Sequence, residues 1–233
     1  MTIMPPIAVL AGGLATRMGE VARVTPKSML EVAGEPFIAH QLRLFHRQGI
    51  AKVVLCVGHL FEQIHDFVGV GAMFGLNVCY SIDGPALLGT GGALRKALPL
   101  LGSEFLVTYG DSYLDIPYAP VVEAFRASGR PGLMTILHNQ DRWDASNVEF
   151  VDGRIIQYSK TSTQVMSHID YGLSMLRAQV FDGTPDNVAF DLASFYTHLV
   201  NEGRMAAFEV HKRFYEIGSH VGRTETAAYI AGR

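Results

Sequence analysis

The strongest constraint on the fold is a regular alternation of short β-branched runs with segments of helical period across the first 140 residues. We predict strands at residues 7–10, 53–57, 78–82, 105–109 and 133–137. We predict helices at residues 36–48, 60–68, 92–98 and 118–128. Such a succession favours a mostly parallel sheet with helices on both faces, a three-layer α/β sandwich.

After residue 140 the pattern changes to antiparallel strands. Segments 147–150 and 154–158 flank Asp152-Gly153, a dipeptide favoured in tight hairpin turns. Later elements are predicted as a strand at 169–176, a helix at 191–201, a strand at 206–210 and a helix at 223–231. Because no repeat or linker interrupts the chain, we expect one domain over residues 1–233, a Rossmann-like sandwich with a small antiparallel insertion.

Composition excludes several classes of protein. The formal charge is −3, and the 19 Lys and Arg residues are scattered, which disfavours nucleic-acid binding. No apolar run approaches the ~18 residues that span a bilayer, so we expect a cytoplasmic protein without membrane contact. Cys56 and Cys79 lie in apolar strand-like runs without metal-ligand spacing, and we expect two buried thiols.

A glycine-rich turn follows the first predicted strand. Its residues are Leu10, Ala11, Gly12 and Gly13. Glycines there let backbone N–H groups approach an anion without an intervening side chain. Arg17 offers a planar charged fork for phosphate, and Lys27 adds a second cation. A polyphosphate would fit, although a tight turn beside two solvated cations is the alternative.

Segments 10–18 and 25–37 read LAGGLATRM and TPKSMLEVAGEPF. Together they resemble the signature of the sugar-phosphate nucleotidyltransferases, which make nucleotide-activated sugars. The resemblance implies that Gly12 and Gly13 bind a triphosphate, that Arg17 stabilises departing pyrophosphate and that Lys27 contacts phosphate. Ala15 departs from the glycine usual in that family.

The segment 88–94, LGTGGAL, opens a predicted helix with three glycines. Exposed N–H groups at a helix start can receive a phosphate or a base edge, although such glycines are commonly a close-packing device. The resemblance implies that Gly89 and Thr90 contact the base. The Leu-Gly-Thr sequence is similar to that of guanylyltransferases, which favours GTP.

Two carboxylates are candidate Mg²⁺ ligands. Asp111 follows a buried strand through Gly110, at the carboxyl end where open α/β sheets bind ligands. The resemblance implies a metal role for Asp111, with Gly110 at the nucleotide, and for Glu216, where the family usually has aspartate. The alternatives are a turn or cap aspartate and a surface glutamate.

The resemblance also implies where the acceptor binds. Lys160 matches a lysine that grips the phosphate of the sugar, and the segments around it line the sugar pocket of the family. The residues implied are Asn147, Glu149, Asp170, Tyr171 and Gly172. Asn147 and Asp170 depart from the usual family sequence, which indicates an unusual sugar or another phosphorylated acceptor.

The sequence therefore predicts an enzyme with Mg²⁺ as cofactor and a nucleoside triphosphate and a sugar 1-phosphate as substrates. It is most similar to heptose 1-phosphate and mannose 1-phosphate guanylyltransferases, which serve capsule or lipopolysaccharide synthesis. A uridylyl- or cytidylyltransferase and a non-catalytic nucleotide sensor are the alternatives. The chain could also pair as a homodimer.

Overall fold

The structure is a computed structural model that describes residues 2–13, 24–84, 86–161 and 164–233. The strands there are β1 (Ile7–Leu10), β2 (Glu31–Val32), β3 (Glu35–Pro36), β4 (Lys52–Val57), β5 (Asn77–Ile82), β6 (Glu104–Tyr109), β7 (Ser112–Tyr113), β8 (Gly132–His138), β9 (Val148–Val151), β10 (Arg154–Tyr158), β11 (His168–Arg177), β12 (Met205–Val210) and β13 (Tyr215–Glu216). The α-helices there are α1 (Phe37–Arg47), α2 (Phe61–Val68), α3 (Gly89–Leu101), α4 (Ala119–Ser128), α5 (Leu192–Asn201) and α6 (His220–Ala231). No helix among these residues is long and apolar enough to cross a membrane.

Among the described residues, the main sheet has nine strands, with β1 near its centre. β1 runs parallel to β4 and β6, so that Ile7 pairs with Val53 on one side and Leu106 on the other. β5 lies parallel to β4 at one edge, while β11 runs antiparallel to β6, β8 and β9. The predicted mostly parallel sheet with a small antiparallel insertion is confirmed.

Helices cover both faces of this sheet. In β1, Ile7 and Val9 pack against α1, α2 and α4, whereas Ala8 and Leu10 belong to the opposite cluster with α3 and α5. Successive strand side chains point to opposite faces, so an all-apolar strand requires a hydrophobic layer on each side. This pattern gives the three layers that the sequence predicted.

The hairpin prediction is confirmed at its turn. Asp152 and Gly153 connect β9 to β10 with φ angles of 47° and 78°. Positive φ at both central residues matches the twist of the flanking strands, and aspartate followed by glycine adopts it at low cost.

Other predictions required correction. Cys56 is buried, and burial raises the pKa of its thiol to about 12. Cys79 is only partly buried, because it lies on the edge strand β5, and the prediction of two buried thiols is wrong there. The helices α3 and α6 begin three residues earlier than predicted, at Gly89 and His220. The short pair β7 and β13 was not predicted.

Candidate active site

The glycine turn lies where β1 leaves the sheet. The Ala11 N–H donates to the carbonyl of Cys56 at 2.8 Å, which continues the pairing of β1 with β4 by one residue. A Cβ on Gly12 would lie 3.2 Å from the Gly58 nitrogen, so glycine allows this close approach of two backbones. A Cβ on Gly13 would meet nothing within 4 Å. Arg17 and Ala15 lie outside the described residues.

The turn forms one wall of a first cleft, with a volume of about 230 Å³. The cleft is lined by Leu10, Ala11, Gly12, Gly13, Lys27, Cys56, Asp83, Leu87, Gly89, Thr90, Ala93, Tyr109, Gly110 and Asp111. The structure thus brings together every described residue that the sequence assigned to nucleotide binding. Apart from Lys27, the residues that line the cleft come from the carboxyl ends of β1, β4, β5 and β6 or the turns after them, and from α3 and the segment before it. This is the expected place for a ligand site in an open α/β sheet.

The start of α3 packs closely on the segment before α5. A Cβ on Gly89 would lie 2.6 Å from the carbonyl oxygen of Phe190. The Thr90 hydroxyl donates to Asp191 at 2.8 Å and accepts from the Leu192 N–H at 2.9 Å. These contacts support the close-packing alternative for the glycines. A base contact by Gly89 and Thr90 stays a prediction, and the Thr90 hydroxyl retains one acceptor position for it.

Asp83, which the sequence analysis did not select, also lines the first cleft. Its Oδ2 accepts from the Leu88 N–H at 3.1 Å, and its Oδ1 is buried without a partner among the described residues. Burial raises the pKa of this carboxyl above its usual value, against the opposing effects of the Leu88 N–H and the Lys96 charge. Asp83 follows β5 directly before a glycine, a pattern that resembles an ordinary turn and gave no functional signal.

Asp111 and Glu216 are brought together by the small sheet of β7 and β13. Glu216 pairs with Ser112 in register, and the Ile217 N–H donates to the Asp111 carbonyl at 3.0 Å. The Lys27 ammonium lies 3.0 Å from Asp111 Oδ2. Residues separated by about half the sequence thus form one charged cluster.

The cluster converges on Gly218. A Cβ there would lie 2.7 Å from Glu216 Oε2, 3.3 Å from Lys27 Nζ and 3.5 Å from Asp111 Oδ2. Because glycine has no side chain, it leaves a cradle faced by one oxygen of each carboxylate and by the Lys27 ammonium. Mg²⁺ is commonly held by one or two carboxylates together with substrate phosphates and water, so this donor pair fits Mg²⁺. No group of three or more metal-binding side chains occurs within the described ranges.

Glu216 also accepts hydrogen bonds within the turn that connects β13 to α6. Its Oε2 accepts from the N–H groups of Gly218 and Ser219, and its Oε1 accepts from the Ser219 hydroxyl at 2.6 Å. Ser219 in turn caps α6 by accepting from the Gly222 N–H at 2.9 Å. A carboxylate has about four acceptor positions, and these bonds occupy both positions of Oε2 and one of Oε1, so the position left for a metal ion is on Oε1.

A second cleft, of about 640 Å³, adjoins the first. It is lined by Lys27, Tyr109, Asp111, Ser112, Trp143, Asp144, Asn147, Lys160, Ile169, Asp170, Tyr171, Gly172, Phe214, Glu216, Gly218, Ser219 and His220. The two clefts share Lys27, Tyr109 and Asp111. Of the predicted acceptor residues, Glu149 lines neither cleft. It is exposed next to the buried Val148, because strand side chains alternate between faces.

Hydrogen bonds of Asp170 and Asn147 connect the segments that line the second cleft. Asn147 Oδ1 accepts from the Asp170 N–H at 2.9 Å, and Asp170 Oδ1 accepts from the Gly172 N–H at 3.0 Å. The Tyr158 hydroxyl donates to Asp170 Oδ2 at 3.3 Å. Burial raises the pKa of Asp170, while the Gly172 N–H and the Lys160 charge act in the opposite direction.

Aromatic side chains form another wall of the second cleft. The Trp143 and Phe214 ring centroids are 6.4 Å apart, those of Phe214 and Tyr171 are 6.1 Å apart, and the Arg213 guanidinium lies 5.1 Å from the Trp143 ring. Aromatic faces of this kind can pack against the apolar face of a sugar. Trp143 and Phe214 are far apart in the sequence, which offers no pattern that would have paired them.

The sheet and the two clefts at its carboxyl edge define a Rossmann-like α/β protein whose site has two compartments. Residues 7–151 match the sequence profile of the MobA-like NTP transferase domain. The chain belongs to this family.

Known relatives carry several nucleotide specificities. The chain is 39% identical over 111 residues to N-acetylmuramate α-1-phosphate uridylyltransferase of Neisseria meningitidis serogroup B, a match that covers 47% of the chain and 48% of that protein. It is 25% identical over 210 residues to D-glycero-α-D-manno-heptose 1-phosphate guanylyltransferase of Campylobacter jejuni, covering 90% of the chain and 93% of the relative. The chain thus spans about half the length of the first of these relatives.

A solved structure shows the same fold. HddC from Yersinia pseudotuberculosis, complexed with GMP-PN, superposes with a TM-score of 0.83 at 23% identity, covering 97% of this chain and all of that one. Other relatives are named as cytidylyl- and thymidylyltransferases. Membership of the family therefore leaves the base and the sugar open.

Proposed function

We propose that this protein transfers a nucleoside monophosphate from a nucleoside triphosphate to a sugar 1-phosphate and releases pyrophosphate. The observation that carries the proposal is the meeting of the two clefts at Lys27, Tyr109 and Asp111. Two separate polyanions bound in these clefts would bring their phosphates together beside a lysine and a carboxylate pair. The family membership supports the same reaction.

The first cleft is the proposed donor site. The backbone of Gly12 and Gly13 would face the triphosphate, and Arg17 and Lys27 would neutralise its charge. The second cleft is the proposed acceptor site, where Lys160 would hold the sugar phosphate. Asp170 and Asn147 keep the backbone of that cleft in place through their mutual hydrogen bonds.

The reaction needs no general base from the protein. A phosphate monoester has a second pKa of about 6, so the acceptor is largely dianionic at neutral pH. Its oxygen forms a bond to the α-phosphorus while the bond from that phosphorus to the bridging oxygen breaks, and pyrophosphate leaves with that oxygen. Positioning and charge neutralisation therefore account for catalysis.

Asp111 and Glu216 are the residues that would hold Mg²⁺. When bound, this ion supplies positive charge that polarises the phosphoryl oxygens. Lys27, already paired with Asp111, would keep the carboxylate oriented and contribute its own charge to the donor phosphates.

For the substrates, we propose GTP with a heptose or mannose 1-phosphate, in the cytoplasmic synthesis of a surface polysaccharide such as capsule or lipopolysaccharide. The Leu88-Gly89-Thr90 segment and the guanylyltransferase relative support this choice. The uridylyltransferase relative favours a second candidate, UTP with another phosphorylated sugar.

A pyrophosphate-release screen tests the proposal. It crosses the common nucleoside triphosphates with a panel of sugar 1-phosphates, including heptose, mannose and N-acetylmuramate forms, with and without Mg²⁺. We expect release only when both substrates and Mg²⁺ are present. Nucleotide binding without turnover of any pair would contradict the proposal and support a nucleotide sensor.

A further inference from the structure

Gln41 is a buried polar residue on a helix face that is otherwise apolar. Its neighbours on that face of α1 are Ile38, Leu42 and Phe45, which are all buried, and Gln41 itself is 1% exposed. An apolar side chain of similar size would satisfy the packing of this face. The amide therefore calls for an explanation in terms of its hydrogen bonds.

The amide nitrogen of Gln41 donates to two backbone carbonyls. Its Nε2 lies 2.8 Å from the carbonyl oxygen of Tyr109 and 2.9 Å from that of Ser112. These two residues bracket the turn Gly110-Asp111, which connects β6 to β7. An –NH₂ group has two hydrogens, and Gln41 uses one for each end of the turn.

In this arrangement the amide oxygen of Gln41 is left without a hydrogen bond from the described part of the chain. Gln41 Oε1 is buried and has no hydrogen-bond partner among the described residues. An unsatisfied buried acceptor is unfavourable by about 1–3 kcal/mol. The side chain is thus oriented for its two donor contacts and not for its own full hydrogen bonding.

The remaining contacts hold the same turn from other sides. The Gly110 N–H donates to the Leu10 carbonyl at 2.9 Å, and the Asp111 carbonyl accepts from the Ile217 N–H at 3.0 Å. With Gln41 spanning the two ends, the backbone of this turn is tied to β1, to α1 and to Ile217, which directly follows β13. The side chain has its own contacts, because Oδ2 lies 3.0 Å from the Lys27 ammonium and Oδ1 accepts from the Ser112 hydroxyl at 3.3 Å.

We propose that Gln41 is a positioning residue, which fixes the Gly110-Asp111 turn so that the Asp111 carboxylate faces the cradle over Gly218. The inference rests on the proposed function, because it assigns Asp111 to the metal. Loss of an outer contact that orients a metal ligand typically weakens metal affinity or activity by about 10–100-fold.

The test replaces Gln41 by methionine, which keeps the length of the side chain and removes both donors. Gln48→Met is the matched control, since Gln48 follows α1 and its Oε1 accepts from the Tyr118 N–H at 3.0 Å, away from both clefts. Mn²⁺ affinity in the presence of GTP is followed by electron paramagnetic resonance, beside nucleotide affinity by calorimetry and thermal unfolding. Pyrophosphate release is measured separately.

We expect Gln41→Met to weaken Mn²⁺ binding by about tenfold or more, with a corresponding fall in kcat and little change in the nucleotide affinity measured without metal. Gln48→Met should leave Mn²⁺ affinity unchanged. Equal Mn²⁺ affinity in wild type and Gln41→Met, with a lowered unfolding temperature, would show a packing role and overturn the proposal.

The experiment also distinguishes failure of the proposed function from failure of the positioning role. Absence of turnover in the wild type, with Mn²⁺ binding still dependent on Gln41, would refute the proposed function and leave the positioning role supported. Absence of Mn²⁺ binding by the wild type with nucleotide would overturn the positioning role. Should Gln41→Met fail to fold, Gln41→Asn, which withdraws the amide by one methylene, is judged by the same measurements.

Discussion

Among the described lysines and arginines, Lys27 alone lines both clefts. It lies on a single turn of 3₁₀ helix, Lys27–Met29, and its ammonium contacts Asp111 at 3.0 Å. The proline before it restricts the backbone that presents the side chain. At this position the positive charge of Lys27 can interact with the proposed donor phosphates, the acceptor phosphate and the carboxylate pair.

We therefore predict that Lys27→Met lowers kcat by about 10²–10³, because it removes a charge that stabilises the transition state. Lys52→Met is the matched control, since Lys52 begins β4 and lines neither cleft. Steady-state pyrophosphate release measures both variants. Comparable losses in the two, or none in Lys27→Met, would remove Lys27 from the proposed chemistry.

Glu216 has two roles that substitution can separate. Glu216→Gln retains an oxygen that can accept from the Gly218 and Ser219 N–H groups, but it loses the negative charge. We expect its unfolding temperature to stay close to that of the wild type while the Mg²⁺ concentration needed for half-maximal activity rises. An unchanged Mg²⁺ requirement would mean that Glu216 only caps the turn before α6.

At the scale of elements, the start of α3 depends on its contact with the segment before α5. A Cβ on Gly92 would overlap with the carbonyl oxygen of Val188, a backbone atom that cannot move independently. Gly92 is not among the glycines with positive φ, so the conflict is steric and not conformational. The same helix start lines the first cleft through Gly89 and Thr90.

We predict that Gly92→Ala destabilises the protein by about 1–3 kcal/mol, the usual range for overpacking. Gly232→Ala is the control, because a Cβ there would lie 3.5 Å from the Ala228 oxygen, an ordinary contact. Chemical denaturation of both variants provides the comparison. Equal stability of Gly92→Ala and wild type would show that the segment before α5 adjusts freely.

The antiparallel part of the sheet contains a buried histidine on β11. Burial lowers the pKa of His168 below its usual 6.5, an effect reinforced by His138 and opposed by Glu209, whose carboxylate is 3.4 Å away. As the pH falls through about 6.5, the unfolded chain takes up a proton before the folded one. The contribution of His168 to stability is complete above this pH and lost below it.

We therefore expect the wild type to lose more stability between pH 7 and about pH 5 than His168→Gln does, because only the wild type carries this linkage. His211→Gln, which changes an exposed histidine, should retain the wild-type slope. Urea denaturation across this range measures the free energy of unfolding. A His168→Gln slope equal to that of the wild type would contradict the assignment.

At the scale of the whole molecule, each of the two proposed substrates has its own cleft. Lys160 lines only the second cleft, whereas the glycine turn lines only the first. We predict that Lys160→Met raises the KM for the sugar 1-phosphate by about tenfold or more, equivalent to the loss of a charge-assisted hydrogen bond of about 1.5–3 kcal/mol. Nucleotide affinity by calorimetry should stay unchanged, and a matching loss of nucleotide affinity would argue against separate compartments.

Periodicity was sufficient to predict the layered fold. The spacing of apolar residues in the sequence shows which face of an element is buried. Examples are Ile38, Leu42 and Phe45 on α1 and the continuous apolar run of β1. Strands as short as β7 and β13 have no such pattern, since two residues cannot show a period. Their pairing, which joins Asp111 to Glu216, arises from tertiary contacts that no local stretch encodes.

The position of residues in the candidate site was predictable where they are contiguous or match a family sequence. The glycine turn, Lys27, Asp111 and Lys160 fall in this group, and each described one lines a cleft. Asp83 and Gln41 were missed. Each owes its place to burial or to partners on distant elements, which a single sequence does not show.

The shared wall of the two clefts has a consequence for how the proposed reaction ends. A nucleotide-sugar consists of the nucleoside monophosphate of one substrate joined to the sugar phosphate of the other, so it would occupy the first and second clefts at once across Lys27, Tyr109 and Asp111. Linking two ligands gives the second a high effective concentration at its own site. The product would then dissociate slowly and compete with each substrate, so that the accumulated nucleotide-sugar restrains its own synthesis without any separate regulatory site.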